Sequence, residues 1–145
     1  MAGAATDKPA KRARKGDFRS ACPLATALDL VGDKWSLVIV RDLMRGLGKY
    51  QEFLRSPEGI PTNILADRLK SLEGQGIVRR RRYQTRPIRH EYVLTRKGAE
   101  LLPVLQQLVI WTRKYVPGLW ASPKWFFDAT PADLLKSQAP ARKKG

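Results

Sequence analysis

"PTNILADRLKSLEGQGIVRRRRYQTRPIRHEYVLT", residues 61–95, changes its hydrophobic period part-way along. Up to Gly74, the residues Leu65, Leu69 and Leu72 recur at the spacing of one helical face. At about 100° per residue, Asn63, Ala66, Asp67 and Lys70 fall on the opposite side. Past Gly76 the pattern turns extended: two runs, 77–83 and 88–94, flank "QTRP" and read as a β-hairpin with a four-residue connection. Residues 77–97 hold eight basic side chains and one acid, Glu91, and Arg79, Arg80, Arg81 and Arg82 are consecutive. Such self-repulsion calls for an anionic partner shaped to the hairpin. A helix with a slim polar face, followed at once by a basic hairpin, reads as a helix-turn-helix with a wing.

Upstream, Leu24, Ala27, Leu28 and Val31 keep helical spacing until Gly32. Asp33 is placed to cap a second helix that is apolar around most of its girth (Trp35, Leu37, Val38, Ile39, Val40, Leu43, Met44) and so belongs at the centre of the fold. A short third helix carries Tyr50, Phe53 and Leu54 inward, and Pro57 and Gly59 turn the chain into the fourth helix near Pro61. Downstream, Thr95 is expected to cap one long helix to about Tyr115, bent or weakened at Pro103. The fold class is therefore mainly α with a small β-hairpin wing. Its expected parts are a flexible basic arm over 1–19, the winged domain over 20–117, and an aromatic extension with a basic tail over 118–145.

The chain has 145 residues, 28 Lys and Arg against 13 Asp and Glu, and a net charge of +15. A surface that basic suits nucleic acid or another polyanion. No apolar run approaches the length of a membrane span, and the charged N-terminus lacks the apolar stretch of a secretory signal. A reducing cytoplasm is the expected location, with no membrane partner. One histidine, one cysteine and no Gly-rich phosphate loop favour binding over catalysis, with no metal or cofactor expected.

On the fourth helix, Asn63 can bond an adenine through its amide, and Thr62 a base or a phosphate. Ala66 keeps the face slim, Asp67 and Lys70 share it, and Lys70 can reach phosphate or guanine. Arg68 lies off that face, between a DNA-backbone contact and an internal ion pair. Taken alone, Thr62 and Asn63 also fit helix capping. In the hairpin, neighbours alternate faces. Either Arg80 and Arg82 or Arg79 and Arg81 should turn toward the protein, with Glu91 able to pair with one. The tip, Gln84, Thr85, Arg86 and Arg89, is placed for the DNA backbone or minor groove. Arg80, Arg82, Thr85, Arg86 and Arg89 complete the candidate DNA contacts, the alternative being a solvated charged face. His90, in register with Ile88, Tyr92 and Leu94, reads as a half-buried structural residue.

These pieces in this order, "CPLATALDLVGDKWSLVIVRDLMRG", "KYQEFLRSPEGIPTNILADRLKSLEGQGIVRR", "RPIRHEYVLTRKG" and "LLPVLQQLVIW", resemble the HxlR-type winged-helix transcriptional regulators, relatives of the MarR group. The resemblance implies a homodimer, more often a repressor, on a palindromic double-stranded DNA operator. It implies dimerisation through the first and last helices, here Leu24, Leu28, Leu101, Leu105, Leu108, Trp111 and Tyr115. It also implies an oxidant- or electrophile-sensing role for Cys22, which precedes the first helix; a small-molecule effector is the other possibility, and neither is identified. With Pro23 following, Cys22 lies at a helix N-terminus, where partial positive charge favours thiolate, and Arg19 adds to it. A small residue buried at the dimer interface is the alternative for Cys22. Two rivals stand beside the regulator: a non-specific basic nucleic-acid-binding protein and a Cys22-dependent redox enzyme. The segment with Trp120, Trp125, Phe126 and Phe127 is outside the shared pattern; it is expected to pack, on the partner or over a pocket.

Overall fold

The computed structural model describes residues 18–139. Most of the arm expected over 1–19, and the basic end after Ala139, lie outside the described residues. In chain order the elements are α1 (Pro23–Val31), α2 (Ser36–Met44), α3 (Tyr50–Leu54), α4 (Thr62–Gly74), β1 (Val78–Thr85), β2 (Ile88–Leu94), α5 (Arg96–Ala99), α6 (Leu102–Tyr115), α7 (Lys124–Asp128) and α8 (Pro131–Ser137). The only sheet among the described residues is the antiparallel pair β1–β2.

Gly32 closes α1 by donating its N–H to the Leu28 carbonyl. The Asp33 carboxylate then accepts the backbone N–H groups of Trp35 and Ser36, each at 2.9 Å. These bonds satisfy donors that a helix start leaves open, so α2 begins at Ser36. Ile39, Val40, Leu43 and Met44 of α2 are all buried, which puts this helix at the centre. On α3, Phe53 is buried as expected, but Tyr50 is exposed. Its hydroxyl donates to the Thr62 carbonyl at 3.0 Å, tying α3 to the start of α4. Leu65, Leu69 and Leu72 of α4 are fully buried.

The hairpin pairs from Val78 with Leu94 to Thr85 with Ile88. A bulge between Arg82 and Gln84 leaves Tyr83 unopposed. Because Gln84 and Thr85 still pair, the connection is only Arg86 and Pro87, joined by a cis bond, and is shorter than the four residues expected. At the base, the Tyr92 N–H donates to the Gly48 carbonyl at 2.8 Å. A Cβ on Gly48 would stand 2.2 Å from the Tyr92 oxygen, so only glycine allows this backbone approach. Around the tip of the hairpin most side chains are exposed. Ile88 is exposed there, and so is His90, contrary to the half-buried role expected of it.

The single long helix expected from Thr95 is broken at Glu100 and Leu101. Thr95 caps α5, its hydroxyl accepting the Gly98 N–H at 3.1 Å. Pro103 has no N–H, and in an unbroken helix its ring would meet the carbonyl four residues back; it sits instead in the first turn of α6. The 14-residue α6 therefore spans about 21 Å.

The C-terminal extension packs on this chain's own body. Phe126 and Leu134 join the same buried cluster as Leu65 and Val40. The Gln138 amide accepts the Leu94 N–H at 2.8 Å and donates to the Leu94 carbonyl at 3.1 Å. Gly48 and Gln138 together cover the outer edge of β2, which would otherwise offer unpaired backbone groups.

Candidate nucleic-acid interface

One surface gathers the outer face of α4 and the projecting hairpin. Thr62, Asn63, Ala66, Asp67 and Lys70 are all exposed, the last four on the side opposite the leucine stripe. Pro61 is the N-cap of α4 and no side chain caps this helix, so Thr62 is its first residue and capping does not account for Thr62 or Asn63. The first-turn N–H groups are left without a side-chain partner at the end where helices favour anions.

Arg68 is held within the protein. Its guanidinium bonds Asp67 at 2.6 Å and Asp33 at 3.4 Å, so of its two expected roles the structure shows the ion pair. The Asp67 hydrogen bond, opposed by burial, raises the Arg68 pKa. Partial burial pushes the Asp33 carboxyl up, but bonds from Ser36 and the Trp35 and Ser36 backbone outweigh it and hold Asp33 below its ordinary value. Asp67, expected on the contact face, is thereby the partner of Arg68, while its own side chain stays largely exposed.

In the wing, neither expected pair of arginines turns inward together. Arg81 does: its Nε meets Glu91 at 2.9 Å and its Nη1 donates to the Gln138 carbonyl at 2.7 Å. Arg80, on the other face, leans on Glu73 of α4 at 3.5 Å while remaining half exposed. The base of the hairpin is thus held on both faces, by α4 on one and the end of α8 on the other. Arg79, Arg82, Thr85, Arg86 and Arg89 are exposed. Lys49 places its ammonium 4.5 Å from the centre of the Tyr83 ring at the bulge, a cation–π contact that orients the outer strand. Glu73, Gln138 and Lys49 were not singled out in the sequence. Glu73 had a local signal, lying at the helix end that enters the hairpin; Gln138 had none.

Of the expected subunit-contact residues, Leu24, Leu28, Leu108, Trp111 and Tyr115 are exposed, with the Trp111 and Tyr115 rings 5.9 Å apart. Leu105 is instead buried in this chain's own core, and Leu101 packs half-buried against it. Cys22 is the exposed N-cap of α1, with Pro23 as the first helical residue. Arg19, expected to support a thiolate, has its Nε bonded to Asp29 at 2.6 Å, which neutralises much of its effect.

Among the described residues no three His, Cys, Asp or Glu side chains cluster as a metal site, and no helix is long and apolar enough to cross a membrane. The family model described as HxlR-like helix-turn-helix matches residues 30–119, from the end of α1 to just past α6. This chain belongs to the HxlR-like helix-turn-helix family. An uncharacterized HTH-type transcriptional regulator of Synechocystis sp., sll1512, is 39% identical over 84 residues, covering 58% of this chain and 62% of that protein. The reduced form of the transcriptional regulator YodB from B. subtilis is 34% identical, with a TM-score of 0.58 over 68% of this chain and 98% of that one. The redox regulator HypR in its oxidized form is 32% identical, with a TM-score of 0.61 over 67% of this chain and 100% of that one. The HxlR-like match ends before Trp120, so α7 and α8, which complete this core, lie beyond it.

Proposed function

We propose that this HxlR-like protein is a sequence-specific, DNA-binding transcriptional regulator, acting as a homodimeric repressor on a palindromic operator. The observation that carries the reading is the juxtaposition of the uncapped, slim outer face of α4 with the exposed wing arginines. In the proposed complex α4 lies in the major groove, Thr62 and Asn63 meet base edges or phosphate, and Ala66 permits close approach. Lys70, Arg82, Arg86 and Arg89 neutralise backbone phosphates, with Thr85 beside them at the wing tip and Arg80 released from Glu73. Arg68 acts by steadying α4 through Asp33. Two-fold pairing through Leu24 and Leu28 of α1 and Leu108, Trp111 and Tyr115 of α6 would cover the large apolar side chains left exposed there. It would have to set the two α4 helices about 34 Å apart, one turn of DNA.

Asn63→Ala should cost about 1–3 kcal/mol at particular base positions, whereas Arg86→Ala should weaken all sequences alike and lower the salt slope. Quantitative footprinting of wild type and both variants over a range of salt measures this. Equal affinity for operator and random duplex in the wild type would leave the non-specific reading standing.

Cys22 is proposed as an oxidant-responsive thiol. It is exposed at a helix N-terminus, and two similar structures are of a redox regulator in its oxidized form and a transcriptional regulator in its reduced form. Oxidant should lower operator affinity of the wild type and leave Cys22→Ser unchanged, as measured by fluorescence anisotropy. The same response in both proteins refutes the role.

A further inference from the structure

The segment 118–126 runs past α6 and faces α2 across a groove of about 920 Å³. Its walls are apolar: Val38 and Met44 from α2, Leu105 and Val109 from α6, and Trp120 and Phe126 from the segment itself. The volume lies within the range of sites that enclose small organic molecules. The wall built by Trp120 and Phe126 is formed by residues beyond the family match.

The charges on the lining are uneven. Three guanidinium groups, Arg41, Arg45 and Arg113, face one carboxylate, Glu58. Arg41 is fully engaged, donating to Glu58 at 2.7 and 2.9 Å and to Asp42 at 2.8 Å. Arg45 has only a 3.5 Å contact to Asp42, and its side chain is 48% exposed. Arg113 donates one bond, to the Trp120 carbonyl at 2.6 Å, out of the five N–H groups a guanidinium carries. Two cations with donors to offer therefore border an apolar trough.

We infer that this groove binds an organic anion with an apolar, multi-ring or long-chain body, its acidic head held by Arg45 and Arg113. A neutral apolar molecule would strip water from both guanidinium groups and return nothing. The proposed pairing of two copies uses a neighbouring face of α6. The exposed stripe of Leu108, Trp111 and Tyr115 lies about a quarter-turn around α6 from Leu105, Val109 and Thr112, with Leu108 at the boundary. Of the α6 residues that line the trough, pairing through that stripe would use only Leu108.

The groove reaches the DNA-reading unit directly. Pro57 and Glu58, in the connection between α3 and α4, form part of its lining. An anion on Arg45, which also contacts Asp42, would disturb the Asp42–Arg41–Glu58 cluster and so the turn that aims α4. This regulatory consequence rests on the proposed DNA-binding function; the binding site itself does not.

Anilinonaphthalene sulfonate, an aromatic anion whose fluorescence rises on binding, tests the site on the full chain. Saturable binding at one site per chain is expected, weakened about tenfold by either Arg45→Gln or Arg113→Gln. Both side chains are exposed, so both variants should keep the wild-type melting temperature. Uncharged phenylnaphthylamine should bind more weakly and ignore both substitutions. Equal binding of the two dyes, unaffected by either variant, overturns the anion site. Dye affinity that falls as protein concentration rises assigns the groove to a second copy and overturns it equally. In a parallel arm, saturating sulfonate should weaken operator binding by the wild type but much less by the two variants. Loss of all operator binding in the unliganded wild type would sink the DNA-binding reading while leaving the dye result intact.

Discussion

Phe126→Ala is expected to lower the unfolding free energy by about 3–5 kcal/mol, the largest effect of any single substitution considered for this chain. Phe126 is 7% exposed and belongs to the main core cluster, with edge-on contacts to Trp125 at 5.9 Å and Phe127 at 4.9 Å. Its carbonyl also accepts the Gln106 side-chain amide at 2.9 Å, which fixes α7 against α6. Truncation removes an aromatic ring from the buried cluster and opens a cavity there. Trp120→Ala, although it deletes a larger side chain, should change stability by no more than about 0.5 kcal/mol, because Trp120 is 78% exposed. Chemical denaturation of both variants measures the contrast. Near-wild-type stability of Phe126→Ala would show that α7 and α8 are an appendage and not part of the cooperative unit.

Asp42→Ala is expected to cost about 3 kcal/mol, for a different reason. Asp42 is a buried carboxylate in the last turn of the apolar α2. Arg41 donates to it at 3.1 and 2.8 Å, and the buried Ser56 hydroxyl donates to its other oxygen. Alanine leaves the Ser56 hydroxyl without its acceptor in a dry site and deprives Arg41 of two charge-assisted bonds. Arg41 keeps Glu58, so its charge is not stranded, and that limits the loss. Hydrogen bonding to Glu58, opposed by burial, raises the Arg41 pKa above its ordinary value. Ser56→Ala alone should cost about 1 kcal/mol, and the double variant should be less destabilised than the sum, since the two groups satisfy each other. Additive losses in urea titration would mean that the pair does not act as a unit. This cluster joins α2 to the start of the α3–α4 connection, so it also sets where α4 sits.

Asp42 marks the boundary of what could be read along the chain. As a letter it is one acid in "IVRDLMRG", on a helix expected to be apolar; nothing in its neighbourhood announces Ser56, fourteen residues on. The same holds for Arg81, whose partner Gln138 is 57 residues away, and for the tail, whose aromatic content predicted packing but not on which surface. Arg68 is intermediate. Helical geometry put it off the outer face, and the structure then supplied Asp33. His90 and the broken helix near Glu100 went the other way. Strand alternation predicted a half-buried His90, but alternation has meaning only where a second layer exists, and the outer wing has none. Pro103 correctly signalled trouble in the helix, yet placing the break needed the Thr95 cap and the first turn of α6 to be seen together.

From the residues alone came much of what is caused within a few positions. The leucine stripe of α4 follows from helical period, the helix start after Thr95 from its cap, and the hairpin from its change of period. The basic interface likewise follows from a count of charges. Only the tertiary structure decided which arginines are held and which remain open, that Leu105 serves this chain's own core, and that α7 and α8 complete it. Periodicity and capping act through neighbouring backbone groups. Ion pairs, shared cavities and core membership depend on which distant segments meet, and that is settled by the whole chain closing around one buried centre.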